Sequence, residues 1–138
     1  MLLQEKVALI TGAASGLGRA QAIEYAKEGA KVIVSDVNAE GLTETENLIK
    51  DNNGTVLSIV ADVSKKEDVH MMIKKALEAF GTVDICVNNA AVLADFKASL
   101  DITEEEWDKI MDVNVKGVYL LTNEILPHML KKREGNIY

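Results

Sequence analysis

Val7-Ala8-Leu9-Ile10-Thr11-Gly12-Ala13-Ala14-Ser15-Gly16-Leu17-Gly18 decides the fold. Its first four residues form a short apolar run that suits a strand buried on both faces, and the glycines that follow open an alanine-rich stretch. Glycine permits a tight turn and lets a ligand approach the backbone. The first N–H groups of a helix lack internal acceptors and lie at the positive end of its dipole. Strand, glycine turn and helix start, in that order, make a phosphate-binding turn. Glycines also serve plain tight turns, and only the placement between strand and helix favours the binding reading. The turn does not end in Gly-Lys-Ser/Thr, which disfavours a P-loop nucleotide hydrolase.

Working outward, apolar runs rich in β-branched residues recur about every 25 residues, at Val32 to Val34, Val56 to Val60 and Val83 to Val87. Each gap holds enough chain for the crossover helix that parallel neighbours require, so a parallel α/β sheet covered by helices is expected. Residues 16 to 29 carry Leu17, Ala20, Ile23 and Ala26 at helical spacing, and Val69, Met72, Ile73, Ala76 and Phe80 form the equivalent stripe later on. Ser64 with Glu67, and Thr103 with Glu106, both match the capping box at a helix start. Helical periodicity then runs through Trp107, Ile110, Met111, Val118 and Leu121 toward Lys132, with Pro127 expected to kink or end that helix. No linker, repeat or low-complexity tract divides the chain, so residues 1–138 read as one domain.

The chemistry-bearing residues fall at the carboxyl ends of these strands, where open α/β sheets bind ligands. Asp36 ends the second strand, where its carboxylate can accept from ribose hydroxyls; alternatively it caps the following helix. Its charge would repel a 2′-phosphate, and no Arg or Lys stands at 37 or within 13 to 17, so NAD is preferred over NADP. Asp62-Val63 follows the third strand and Asn88-Asn89-Ala90-Ala91 the fourth. Asn114 interrupts the apolar helix as a poor helix former and suggests a local kink, which a structural kink alone would also explain.

Thr-Gly-x-x-x-Gly-x-Gly, the strand-two aspartate, Asp-Val, Asn-Asn-Ala and Asn114-Val115-Lys116-Gly117 appear in the order found in the short-chain dehydrogenase/reductase family, which this chain resembles along essentially its whole length. The resemblance implies a Rossmann-like, doubly wound parallel sheet, truncated at about the fifth strand, and hydride transfer between a secondary alcohol or ketone and NAD(H). It implies that Gly12, Ser15, Gly16, Leu17 and Gly18 surround the pyrophosphate and adjacent ribose, that Asp36 holds the adenosine ribose, and that Asp62 and Val63 contact adenine. Asn89 and Ala90 would line the path toward the nicotinamide, with Asn88 bonding within the sheet. Asn114 would be the asparagine of the family's Asn-Ser-Tyr-Lys catalytic set. The family usually has Gly where Ala91 stands, and the extra methyl is expected to narrow the substrate side. The sequence closes on Gly135-Asn136-Ile137-Tyr138, the opening of a fifth strand, without the family's catalytic Ser or a Tyr-x-x-x-Lys pair. Residues 1–138 alone are therefore expected to lack turnover. The alternatives are a noncatalytic nucleotide-binding fragment and an S-adenosylmethionine methyltransferase, which also joins a glycine turn to a strand-two acid.

Charge narrows the field further. With 22 acidic against 15 basic residues the chain carries −7, which disfavours a nonspecific nucleic-acid binder. The single Cys86 has no partner for a disulfide, sits in an apolar run and reads as a buried core residue in a reducing, cytoplasmic setting. Met1-Leu2-Leu3 lacks the features of a signal peptide, and no run is long enough to span a membrane. His70 and His128 have no metal-ligand spacing and are expected at the surface. Apolar residues such as Tyr119, Leu120, Leu121, Ile125, Leu126 and Leu130 lie all round the last helix, and a homo-oligomer is expected there.

Overall fold

The computed structural model describes residues 1–138. The strands are β1 (Val7–Thr11), β2 (Lys31–Asp36), β3 (Thr55–Val60), β4 (Ile85–Val87) and β5 (Asn136–Ile137). Between them run α1 (Gly16–Lys27), α2 (Ala39–Asp51), α3 (Lys66–Phe80), α4 (Glu104–Met111) and α5 (Gly117–Lys132). All neighbours pair in parallel, in the order β3-β2-β1-β4-β5, with Leu9 beside Ile33 on one side and Cys86 on the other.

Alternation along the strands divides the core into two layers. Val7, Leu9, Ile33, Ile59 and Cys86 face α3, through Val69, Met72, Ile73 and Ala76, and α5, through Leu121, Ile125 and Met129. Ala8, Ile10, Val32 and Val34 face the opposite way, onto Ala22 of α1 and Leu42 and Ile49 of α2. All five residues of β1 are buried, as a strand covered on both faces requires. The parallel α/β sheet expected from the apolar rhythm, in the doubly wound form the family resemblance implies, is the fold that forms.

Three local expectations are corrected or refined. The Ser64–Glu67 capping box does not form: α3 starts at Lys66, and the Ser64 hydroxyl and N–H both donate to Asp62 Oδ1, at 2.6 and 2.9 Å. Asp68 reaches back instead to accept from the Asp62 N–H at 2.9 Å. The Thr103–Glu106 box is present in both halves, with Glu106 N–H donating to Thr103 Oγ1 and Thr103 N–H to Glu106 Oε2. Pro127 does not end α5, which continues to Lys132 and stops where Arg133 turns left-handed. Proline removes one donor, the one that would reach Asn123 four residues back, and both residues are exposed so that water can satisfy the carbonyl. Buried Leu121, Ile125 and Met129 hold the helix to the sheet on either side of it. The irregularity lies earlier, in one π-helical turn at Asp112–Lys116 that contains Asn114, where the Gly117 N–H bonds to Asp112 O.

Candidate functional site

The carboxyl ends of β1, β2, β3 and β4 open onto one cleft of about 370 Å³. Gly12, Asp36, Asp62, Val63, Ala90 and Ala91 line it, so five strand-end positions singled out in the sequence, together with Ala91, share one wall system. Val113 and Lys109 close it from the helical side.

The glycine turn lies beside this cleft. Gly12 and Gly16 have φ of +66° and +54°, the left-handed region that L side chains rarely occupy. A Cβ on Gly12 would lie 2.8 Å from Ala90 Cα, so the β1 and β4 ends meet at backbone contact. Ser15 stands at the N-cap of α1 without a side-chain cap, and the first hydrogen bond of the helix is Arg19 N–H to Ser15 O at 3.2 Å. The N–H groups of Gly16, Leu17 and Gly18 therefore have no acceptor within the helix. Ser15, Gly16 and Leu17 are exposed and nothing lies within 4 Å of the space a Gly16 side chain would fill, which leaves an open cradle of donors. Such a cradle fits an anionic pyrophosphate.

Asp36 is held by two backbone donors: Ala14 N–H to Oδ2 at 3.1 Å and Asn38 N–H to Oδ1 at 3.0 Å. It does not cap the following helix, because Asn38 does, accepting from Gly41 N–H at 3.0 Å. Asp62 is pulled into partial burial, which opposes its charge, yet the Ser64 hydroxyl and N–H, with Lys65 and Lys109, outweigh that and hold its carboxyl below the usual range.

Asn88 bonds within the sheet as expected, its N–H donating to Tyr138 O at 2.8 Å. The Asn89 amide donates to Thr11 O at 3.0 Å and Gly12 O at 3.2 Å, so its side chain braces the turn. Asn114 makes a two-bond pair with the peptide of Val92, Oδ1 accepting from N–H and Nδ2 donating to O, each at 2.8 Å. One amide proton and one lone pair of Asn114 remain for another partner. Gly117 explains the last motif position, since a Cβ there would lie 2.8 Å from Val63 Cγ2.

The sequence reading passed over three residues. Thr11 Oγ1 accepts from Asn89 N–H and Ala90 N–H, at 3.2 and 3.0 Å, and joins β1 to the β4 end. Lys109 places an ammonium at the cleft, and Arg19 reaches back over the turn; both stand outside positions 13 to 17 and 37. Cys86 is buried, which pushes its thiol up to about 12, and its place is in the core. His70 meets Glu124 and His128 meets Thr82, and no group of residues has the make-up of a metal site.

Sheet order, cleft position and glycine turn define the Rossmann-like α/β class. More specifically, the chain matches the short chain dehydrogenase family over residues 6–138. It belongs to the short-chain dehydrogenase/reductase family, and is an oxidoreductase-family chain. It is 39% identical over 137 residues to the (2S)-[(R)-hydroxy(phenyl)methyl]succinyl-CoA dehydrogenase subunit of Thauera aromatica, covering 99% of this chain and 55% of that protein. The 3-ketoacyl-(acyl-carrier-protein) reductase of Brucella melitensis complexed with NADH superposes with a TM-score of 0.91 at 42% identity, over 98% of this chain and 56% of that one. A metagenomic short-chain oxidoreductase in complex with NADP superposes with a TM-score of 0.94 at 31% identity, over 99% and 62%. The chain thus spans about half the length of the curated relatives it matches. No helix is long and apolar enough to cross a membrane.

Proposed function

We propose that residues 1–138 are the dinucleotide-binding part of an NAD(H)-dependent oxidoreductase that interconverts a secondary alcohol and a ketone, an incomplete Rossmann domain in the sense that further strands complete the sheet beyond β5. The observation that carries the cofactor choice is Asp36, an acid fixed by two backbone bonds at the end of β2 beside the donor cradle of α1. In this arrangement Gly12, Ser15, Gly16, Leu17 and Gly18 hold the pyrophosphate, Asp36 accepts from the adenosine ribose, and Asp62 with Val63 walls the adenine. Ala90 lines the way to the nicotinamide, while Asn89 acts by bracing Gly12. When bound, the nicotinamide supplies hydride transfer. The protein's share is to orient, exclude water and move a proton, and Asn114 keeps free hydrogen-bonding capacity for such a relay.

Residues 1–138 contain no Tyr-x-x-x-Lys to serve as general acid/base, so this stretch by itself is expected to bind nucleotide without turning substrate over. That makes a noncatalytic nucleotide-binding role the second reading for these residues taken alone. A methyltransferase reading draws no support from a family match over residues 6–138 to dehydrogenases.

Fluorescence titration with NADH and NADPH tests the proposal. NADH should bind more tightly, with like-charge repulsion disfavouring the 2′-phosphate by several kcal/mol, on the order of 3. Asp36→Ala should bring the two affinities together. Equal or tighter NADPH binding by the unaltered protein would sink the assignment.

A further inference from the structure

Gly41 lies inside α2, where glycine is a poor helix former, and its reason is tertiary. A Cβ there would lie 2.8 Å from both the Cβ and the carbonyl oxygen of Ala14, so α2 rests on the glycine turn at backbone contact. Two side chains lock that contact. Thr45, fully buried, donates Oγ1–H to Ala13 O at 2.8 Å, with Gly41 O at 3.1 Å as second acceptor, and accepts from Arg19 Nε at 2.9 Å. Arg19 Nη2 donates to Ala14 O, to Gly41 O at 3.1 Å and to Glu44 Oε2 at 2.8 Å. On the other side of the same residue, the Ala14 N–H donates to Asp36 Oδ2. Ala14 is therefore clamped between Arg19 behind and the Asp36 carboxylate in front.

We propose that Arg19 and Thr45 are positioning residues for cofactor choice: without lining the cleft, Arg19 holds Ala14 directly and Thr45 holds it through Ala13 and the Arg19 guanidinium, and together they fix the Asp36 carboxylate where it reads the adenosine ribose. The inference rests on the role of Asp36 proposed above. A satisfied buried polar network is rigid, and a side chain selects by geometry only when its supports are fixed. With Ala14 released, Asp36 keeps only the Asn38 N–H, its carboxylate can rotate toward water, and its repulsion of a 2′-phosphate is screened over a longer distance. The Nε and Nη2 donors of Arg19 are committed to Thr45, Ala14, Gly41 and Glu44, so this part of the guanidinium serves the scaffold.

The experiment is titration of the full chain with NADH and NADPH, comparing Thr45→Val, Thr45→Ser, Asp36→Ala and the Thr45→Val/Asp36→Ala double variant. Thr45→Val removes the hydroxyl at nearly constant shape and should narrow the NADH preference about fivefold or more, while Thr45→Ser keeps it. In the Asp36→Ala background, Thr45→Val should leave the ratio unchanged, because the effect travels through Asp36. A common fall in both affinities, or an equal change of ratio with Asp36 already removed, overturns the positioning role and leaves the cofactor assignment standing. A preference that survives Asp36→Ala overturns that assignment and this inference together. Should Thr45→Val fail to fold, Arg19→Lys replaces it: lysine cannot reproduce the fork of bonds, so the ratio should narrow again, and an unchanged ratio refutes the proposal.

Discussion

Gly18→Ala should disrupt the candidate site more than Gly16→Ala does. The new Cβ would lie 2.3 Å from Gly12 O and 2.5 Å from Asn89 Nδ2, and neither neighbour is a flexible side-chain end. Gly12 O belongs to the left-handed turn, and the Asn89 amide is held by Thr11 O and Gly12 O. Relief requires α1 to move off the turn or the amide to leave. Overpacking of this kind costs roughly 1–3 kcal/mol, and loss of the two Asn89 bonds adds about 1 kcal/mol each, so a destabilisation of roughly 3–5 kcal/mol is expected. For a urea slope of about 2 kcal/mol/M that shifts the midpoint down by roughly 1.5–2.5 M. Gly16→Ala is the control: its Cβ meets nothing within 4 Å, and the left-handed φ alone costs about 1–2 kcal/mol. Urea unfolding followed by circular dichroism, with NADH titration on the same samples, measures both. A Gly18→Ala midpoint within about 0.3 M of the parent, or a larger loss for Gly16→Ala, would refute the close-packing argument.

Three further outcomes follow from named contacts. Asp84 is held below the usual carboxylate range because Lys132, the Val7 N–H and Thr82 outweigh its burial; its stabilisation is present above the unfolded value near 3.8 and should be lost as pH falls through the lower folded value. Asp84→Asn, which removes the carboxylate beside Lys132 and leaves it only Thr82 Oγ1, should cost about 2 kcal/mol at pH 7 and flatten the acid limb of a stability-versus-pH curve; an unchanged limb would exclude Asp84 as its source. Cys86, buried with its thiol pushed up to about 12, should resist a thiol reagent at pH 8 in the native protein and react once the chain is unfolded in denaturant; fast native labelling would contradict the burial. Trp107, Met111, Val115 and Tyr119 leave an exposed apolar stripe at four-residue spacing, expected to be the contact between copies of the chain; Trp107→Glu with Tyr119→Glu should yield monomers by light scattering, and an unaltered protein already monomeric at micromolar concentration would count against it.

What the sequence determined by itself was everything encoded within a few residues of its cause. Apolar runs of β-branched residues at regular intervals specify buried parallel strands, because only covered faces tolerate them. Gly12 and Gly16 announce a left-handed turn, Thr103 with Glu106 announces a helix start, and the polar residues just past each strand announce the cleft, since parallel strands all end on the same side. Where partners are distant in the chain, the tertiary structure decided. Ser64 serves Asp62 in place of its own helix: its hydroxyl and N–H both donate to the Asp62 carboxylate, and α3 begins only at Lys66, with Lys65 and not Ser64 at the N-cap. Pro127 stays inside α5 because buried neighbours on both sides anchor the helix to the sheet, a contact to strands more than thirty residues away. Asn89 turns its amide to Thr11 and Gly12, seventy-eight and seventy-seven residues earlier, so its part as a brace is invisible in Asn-Asn-Ala. Arg19 and Thr45 were silent for the same reason. Each is an ordinary helix-surface residue type in its own segment, and only the packing of α2 onto the glycine turn, through the bare backbone of Gly41, turns them into supports of the site.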